Sequence, residues 1–170
     1  MEREPRAPSR EGRADIGMVG GAVDLAGLSA VHLGTDRMVL VARSDDALAG
    51  RESVAFLDLV GQAMVGMREG SSVQEFIAQR VQAAGHAPVR PRVHVNSYES
   101  VCLMVEAGVG IAIVPESAAL RYSGNMRLAV VPLSDAWALR ERHLLMRQAA
   151  PVPNYLRDLV THMREHQRLR

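Results

Sequence analysis

The hydrophobic positions between residues 63 and 115 change from one periodicity to another along the chain. Three short segments, at residues 63–67, 90–96 and 110–115, are predicted to be strands. Two stretches with apolar residues at helical spacing lie between them and stop at Gly85 and Gly108. Strands that alternate with helices predict a parallel sheet with helices on both faces, so the predicted fold class is α/β.

The starts of these two helices carry residue types that commonly cap helices. Either Ser71 or Ser72 suits the first N-cap, and Glu75 follows Ser72 by three residues, as in a capping box. Asn96 and Ser97 stand before the second helix in the same way. Both helices are therefore expected to begin directly after a strand.

Two glycines connect the second helix to the strand that follows it. Gly108 is expected to supply the positive φ of a helix C-cap, and Gly110 to allow a tight entry into the strand. The segment SVCLMVEAG is thus predicted to be a crossover helix that leads into the parallel strand GIAIVP.

The flanking sequence predicts further elements. A short buried strand is expected at residues 14–19. Further strands are expected at residues 36–43, 126–133 and 141–148, and a short helix near residues 55–61. Residues 152–169 are typical of an amphipathic helix, whose apolar face contains Tyr155, Leu156, Leu159, Val160 and Met163. Residues 1–13 contain two prolines and are expected to be a disordered tail or the remnant of a helix.

Composition narrows the class of protein. Of the 170 residues, 48% are hydrophobic and 23% are charged, as in ordinary globular proteins. The net charge of +1 argues against a domain that binds nucleic acid by itself, because such domains carry a clustered basic face. The single cysteine excludes an internal disulfide and suits a reducing cytoplasm. No apolar run reaches the roughly 18 residues of a membrane span, and residues 1–13 lack the apolar core of a secretory signal.

The reactive side chains do not form a catalytic pattern. Cys102 lies among apolar residues of the second helix and is expected to be a buried, inert thiol. His162 and His166 are four residues apart and could share a metal ion, but a solvated helix end is the favoured interpretation. The charged run at residues 140–142 is interpreted as a solvated turn. Nucleophile-elbow, P-loop and dinucleotide motifs are absent, so neither catalytic residues nor cofactors are predicted.

Two turns where a strand passes into a helix are candidate binding sites. In doubly wound sheets, ligands bind beyond the carboxyl ends of the strands, where helix N-termini offer free N–H groups and a positive dipole end. The two turns contain Gly70, Ser71 and Ser72, and Asn96, Ser97 and Tyr98. Ser72 and Asn96 could equally act only as N-caps, a role that contributes about 1 kcal/mol. The turns favour a small polar or anionic ligand.

Longer segments of the chain carry a resemblance to a known family. The chain contains, in this order, ADIGMVGG, TDRMVLVARSDDALAGRESVAFLDLVGQAMVGMREGSSVQEFI, VNSYESVCLMVEAGVGIAIVPE and VPLSDAWALRERHLLMR. The most specific piece is VEAGVGIAIVP, supported by REGSS upstream of it. In this order and spacing the segments resemble the effector-binding domain of LysR-type transcriptional regulators.

The resemblance implies a fold like that of the periplasmic binding proteins, with two α/β lobes joined by crossing strands and a small molecule held between them. Residues 43–133 would form one complete Rossmann-like lobe, and residues 14–42 and 134–170 an incomplete second lobe. The resemblance finds no counterpart in the sequence for the family's helix-turn-helix, its linker helix and the first elements of the first lobe. A misassigned start codon, a pseudogene or a true short product would each explain such a truncated sequence. The segment at residues 14–19 would then present an unpaired sheet edge.

The resemblance also implies a function. The chain would be a small-molecule effector-sensing domain, without enzymatic activity, that regulates transcription in a full-length cytoplasmic protein. Effector contacts are implied at the two turns, and more weakly at Gly20 and Gly21. DNA would be contacted only through the missing N-terminal domain, the full-length form would be a homo-oligomer, and no membrane partner is expected. The alternatives are a free-standing module that binds ligand or heterodimerises with full-length relatives, and a small α/β enzyme.

Overall fold

The computed structural model describes residues 15–20, 27–86, 89–148 and 153–167. The strands are β1 (Ile16–Gly20), β2 (Leu28–Arg43), β3 (Val65–Met67), β4 (Val93–Val95), β5 (Ala112–Pro115), β6 (Leu128–Pro132) and β7 (Leu139–Arg147). The α-helices are α1 (Ser72–Ala83), α2 (Tyr98–Glu106), α3 (Glu116–Ser123) and α4 (Asn154–Gln167), and short 3-10 helices lie at Phe56–Leu59 and Ala136–Ala138. The chain divides into two compact units, one of residues 36–140 and one of residues up to 35 and from 141 onward.

The unit of residues 36–140 contains the predicted parallel strands. β3 and β4 pair in parallel, with Val65 opposite Val93. β5 lies on the other side of β3, where Met64 and Ile111 form a parallel bridge and the Val65 N–H donates to the Ile111 carbonyl at 2.8 Å. The strand–helix–strand–helix–strand order predicted from the hydrophobic pattern is therefore confirmed. β2 runs antiparallel to both β5 and β6.

The two faces of this sheet are covered by different helices. Side chains of β2 alternate between the faces, as the pleat of a strand requires. Met38, Leu40 and Ala42 pack into one cluster, which includes the apolar side of α1. Val39 and Val41 pack into the other, which includes apolar residues of α2 and α3. The prediction of helices on both faces is confirmed, and each fully buried aliphatic side chain contributes roughly 1.5–3 kcal/mol.

The other unit is built on an antiparallel pair. β1 pairs with β7 from Ile16 opposite Met146 to Gly20 opposite Arg142, and β1 stands at the end of the strand order within the described residues. The expectation of a buried first strand is wrong, since Met18 is 51% exposed. An antiparallel strand can leave one face in solvent, and β1 does so.

The closing helix buries only part of its apolar face. Leu156 of α4 is buried, whereas Tyr155 and Leu159 are exposed. Residues 1–13, whose structure was predicted from their prolines, lie outside the described residues. The amphipathic pattern thus located the helix correctly but overstated how many of its side chains pack.

Sequence analysis did not place α3. The helix begins at Glu116, directly after the last residue of β5, and Pro115 at its N-cap position makes no side-chain capping bond. The usual Ser, Thr, Asp or Asn signal is missing, so the sequence marks the start only weakly. Packing of the buried Ala119 against the sheet stabilises α3 instead.

The two glycines beside α2 have the roles predicted for them. Gly108 follows the helix with φ of +78°, a conformation that side chains rarely adopt. Gly110 is needed for space, because a Cβ there would lie 2.2 Å from the carbonyl oxygen of Ala63. That carbonyl accepts a 2.9 Å hydrogen bond from the Ile111 N–H, so the two backbones cannot separate without losing the link between β5 and the start of β3.

Replacement of Gly110 by alanine should therefore destabilise the fold. We expect G110A to lower the free energy of unfolding by at least about 2 kcal/mol, because the added methyl group overlaps a backbone carbonyl that cannot rotate away. G124A is the matched control, since a Cβ at Gly124 meets nothing within 4 Å and its backbone is helical. Urea denaturation monitored by circular dichroism measures both, and equal midpoints would contradict the close-approach explanation.

Candidate functional site

The two predicted turns lie at the same edge of one sheet. β3 and β4 are parallel and end in register, with Met67 opposite Val95. The Arg68 N–H donates to the Val95 carbonyl at 2.9 Å, which joins the end of one strand to the start of the next loop. The turn at residues 70–72 and the turn at residues 96–98 therefore leave the sheet side by side.

The chain leaves these neighbouring strands toward opposite faces. α1, which follows β3, packs with Met38 and Leu40, whereas α2, which follows β4, packs with Val39 and Val41. Where adjacent loops diverge in this way, a crevice opens beyond the carboxyl ends of the strands. The N-termini of α1 and α2 flank this crevice with free N–H groups and positive dipole ends.

The capping residues are not the ones that the capping box indicated. Ser71 accepts the Gln74 N–H at 3.3 Å, and Ser97 accepts the Ser100 N–H at 3.1 Å. Both caps keep the extended backbone that an N-cap requires, and Ser72 is already the first helical residue. The capping box predicted at Ser72 and Glu75 is therefore wrong by one position, because Ser71 is the cap of α1. Asn96 lies one residue before Ser97, which is the cap of α2.

This assignment leaves two polar side chains available for a ligand. Ser72 and Asn96 are exposed, and neither side chain has a hydrogen-bond partner within the described parts of the chain. Gly70, with φ of +76°, is also exposed and turns the backbone into the first N-terminus. Gly20 is the last residue of β1, in the other compact unit, and Gly21 lies outside the described residues.

A buried ion pair at this edge was missed by sequence analysis. Asp36 stands two residues before Met38, which pairs with Pro115 at the carboxyl end of β5. Its carboxylate lies 3.5 Å from Nη2 of Arg140, and both side chains are only 6% exposed. The interpretation of residues 140–142 as a solvated turn is wrong, because they form part of β7. In that strand Leu139 and Glu141 are exposed and Arg140 is buried. Alternation of exposed and buried positions is the pattern of a strand, and it is the signal that could have identified Arg140 as buried.

The guanidinium of Arg140 lies beside one residue of α1 and one residue of α2. The guanidinium carbon, Cζ, lies 5.6 Å from the centre of the ring of Phe76 in α1. Burial raises the pKa of Tyr98, the first residue of α2. The charge of Arg140 and a hydrogen bond from its side chain oppose that rise, and the charge of Asp36 adds to it. Nε and Nη1 of Arg140 have no hydrogen-bond partner among the described residues. The hydroxyl of Tyr98 therefore lies beside a buried cation.

The other reactive candidates do not form a site. Cys102 is fully buried, and burial raises the pKa of its thiol, as expected for an inert core cysteine. The side chain of His166 lies outside what the structure describes, so the solvated helix end favoured for His162 and His166 stays a prediction. Among described residues, no three His, Cys, Asp or Glu side chains are grouped so that they could hold a metal ion. No described helix has the length and apolar character needed to span a bilayer.

These features define a class of protein, an α/β domain with a polar crevice between two helix N-termini. Comparison with known families then identifies it. The chain matches the LysR substrate binding domain over residues 3–168, and it belongs to that family. The family recognised in the sequence is confirmed.

A curated relative supports the same assignment. The uncharacterized HTH-type transcriptional regulator MJ0300 of Methanocaldococcus jannaschii is 24% identical over 150 residues, which cover 87% of this chain and 50% of the relative. The chain spans half or less of the length of this and three other curated regulators that it matches.

Solved structures show the same fold. The effector-binding domain of QuiR in complex with shikimate matches with a TM-score of 0.76 at 13% identity, covering 95% of this chain and 75% of that one. The regulatory domain of CcmR from Synechocystis in complex with 2-PG matches with a TM-score of 0.77 at 16% identity, covering 94% and 76%. The predicted fold, that of a LysR effector-binding domain resembling the periplasmic binding proteins, is confirmed.

Breaking the buried ion pair should be costly. We expect R140M and D36N each to lower the free energy of unfolding by about 3–5 kcal/mol, because each leaves a buried group of the pair without its partner. The double variant should lose less than the sum of the two, since neither charge then remains. D45N, in the exposed Arg43–Asp45 pair, is the control and should leave the midpoint unchanged. Additive losses in a denaturation-based double-mutant cycle would show that the two groups do not interact.

The thiol of Cys102 should react only when the fold opens. Because burial raises its pKa, the folded state holds the thiol proton more tightly than the unfolded chain does. This contribution to stability is present below the ordinary thiol pKa of about 8.5 and is lost as pH rises through the folded value. Labelling by Ellman's reagent near pH 8 should be at least about tenfold slower than in concentrated guanidinium chloride. Equal rates would mean that the thiol is accessible.

Proposed function

We propose that this chain is the effector-sensing domain of a LysR-type transcriptional regulator, and that a small molecule binds at the crevice between α1 and α2. The observation that carries the proposal is the convergence of two helix N-termini beside Ser72 and Asn96, whose polar side chains have no partner among the described residues. Gly70, Ser71, Ser97 and Tyr98 complete the two turns, and backbone N–H groups there supply further donors.

The ligand we infer is small and polar or anionic. Positive dipole ends favour negative charge, and exposed N–H, hydroxyl and amide groups fix the orientation of a polar molecule. The domain senses this ligand and does not transform it. Membership of a regulator family supports this view, and the lone thiol of the chain, Cys102, is buried with a raised pKa.

Sensing requires that the ligand prefer one conformation of the protein over another. A bound effector shifts the population toward the conformation that it binds more tightly. In a full-length cytoplasmic regulator, which we infer to be a homo-oligomer, that shift would pass to a DNA-binding domain and change transcription. The curated relatives, named as HTH-type regulators and at least twice as long as the matched region, support this part of the proposal.

Screening tests the proposed site. Thermal denaturation of the chain with a library of small polar and anionic metabolites should reveal ligands that raise its Tm. S72A and N96A should weaken such a ligand about three- to tenfold, since each removes one hydrogen bond to it. They should leave the stability of the free protein nearly unchanged, because neither residue caps a helix. S71A and S97A, in contrast, should each lower stability by about 1 kcal/mol.

S123A and N125A are the matched controls. Both lie at the C-terminal end of α3, and because α3 starts at the carboxyl end of β5, this end points away from the crevice edge. Ligand affinity should be unchanged in both. A ligand whose affinity depends equally on the control positions would contradict the site, and a library without any ligand would contradict the function.

A further inference from the structure

Two histidines on neighbouring strands point to a cation site in the unit of residues up to 35 and from 141 onward. We propose that His32 of β2 and His143 of β7 together bind a divalent transition-metal ion such as Zn²⁺, each through one ring nitrogen. The inference goes beyond the proposed function, because it assigns a second ligand of a different chemical class to the other compact unit.

The register of β2 and β7 places the two histidines directly opposite each other. β7 lies between β1 and β2 in the order of strands. At one end of the pair, the Gln148 N–H donates to the Gly27 carbonyl at 3.2 Å. Further along, the Ser29 hydroxyl donates to the Met146 carbonyl at 3.4 Å, so the strands run antiparallel. Continued along both strands, this register brings the histidines together at a position without ladder hydrogen bonds, where opposite side chains approach most closely.

The two rings have nearly the separation that a shared ion requires. Their centroids lie 5.4 Å apart, with an angle of 62° between the ring planes. Two imidazoles bound to one tetrahedral Zn²⁺ through nitrogens at about 2.1 Å would have their centroids about 5 Å apart. Rotation of the rings is therefore sufficient to bind an ion, and the strands need not move.

Glu141 supplies the carboxylate that commonly supports a metal-binding histidine. It stands two residues before His143, and the alternation of a strand puts both side chains on one face of the sheet. Its Oε2 lies 3.7 Å from Nε2 of His143. A carboxylate there favours a proton on Nε2 and leaves the lone pair of Nδ1 for the ion. Glu141 is thus a positioning residue and not a third ligand, which agrees with the lack of a three-ligand group among the described side chains.

The exposure of these side chains and their chemistry define the ion. His32 is exposed, and the side chains of Glu141 and His143 are 67% and 23% exposed, so an ion can reach the pair from solvent. Imidazole nitrogen suits Zn²⁺, Ni²⁺ and Cu²⁺, whereas Mg²⁺ and Ca²⁺ prefer oxygen ligands. Water would fill the remaining positions around the ion, so we expect weaker binding than at structural zinc sites with four protein ligands.

Zn²⁺ alone is the probe, and Mg²⁺ is the control ion. The full chain is labelled with ¹⁵N-histidine, and the ring nitrogens of His32 and His143 are assigned by their loss in H32Q and H143Q. Zn²⁺ should shift the ring nitrogens of both residues in a saturable way, and Mg²⁺ should leave them in place. Unmoved ring nitrogens in the presence of Zn²⁺, or equal responses to the two ions, would overturn the proposal.

Variants identify the ligands by their effect on Zn²⁺ affinity in calorimetric titrations. H32Q and H143Q should each weaken binding at least tenfold, because each removes one of two protein ligands. H94Q is the matched control, since His94 is an exposed strand residue of the other unit, and it should bind as the wild type does. An affinity that H32Q and H143Q leave unchanged would refute the site.

Two further variants test the role of Glu141 and the competing histidines of α4. E141Q should weaken Zn²⁺ about tenfold, as loss of a supporting carboxylate does. In the free protein it should also shift the tautomer equilibrium of His143, which the ring-nitrogen frequencies report. H162Q should leave Zn²⁺ affinity unchanged. If H162Q weakens Zn²⁺ and H32Q does not, the ion is bound on α4 and the proposal is wrong.

Discussion

Both cores of the larger unit depend on the pleat of β2. Residues 38–42 of this strand are completely buried, and successive side chains enter opposite clusters. A strand covered on both faces tolerates no shift of register, because a slip of one residue would exchange the two sets of side chains. This constraint fixes α1 on one face and α2 on the other, and it places Met38 opposite Pro115, at the carboxyl end of β5.

The site follows from that arrangement. Because α1 and α2 follow adjacent strands and leave them toward opposite faces of the sheet, their N-termini flank one crevice. The sheet topology alone places them side by side. Ser71 and Ser97 stabilise the two ends by capping them, which leaves the side chains of Ser72 and Asn96 without a partner among the described residues. In the proposed function, capping and ligand contact therefore fall to adjacent residues in each turn.

The Asp36–Arg140 pair is a buried charged contact within the larger unit. A buried pair at 3.5 Å adds little net stability compared with apolar side chains of similar size, since both groups lose their hydration. Asp36 contacts Nη2 of the guanidinium, while Nε and Nη1 have no hydrogen-bond partner within the part of the chain that the structure describes. Burial against Phe76 and Tyr98 lowers the local dielectric and strengthens any charged contact made there.

The sequence by itself determined the parallel strand–helix order, the family, the glycines at 108 and 110, and the two turns, because periodicity and backbone constraints are local properties. It did not reveal α3, whose stability comes from packing and not from a cap. The choice of Ser71 over Ser72 as the cap depended on where the backbone of α1 begins. Only the tertiary structure brought Asp36 and Arg140 together, since residues more than 100 positions apart meet through sheet topology, which no local pattern encodes.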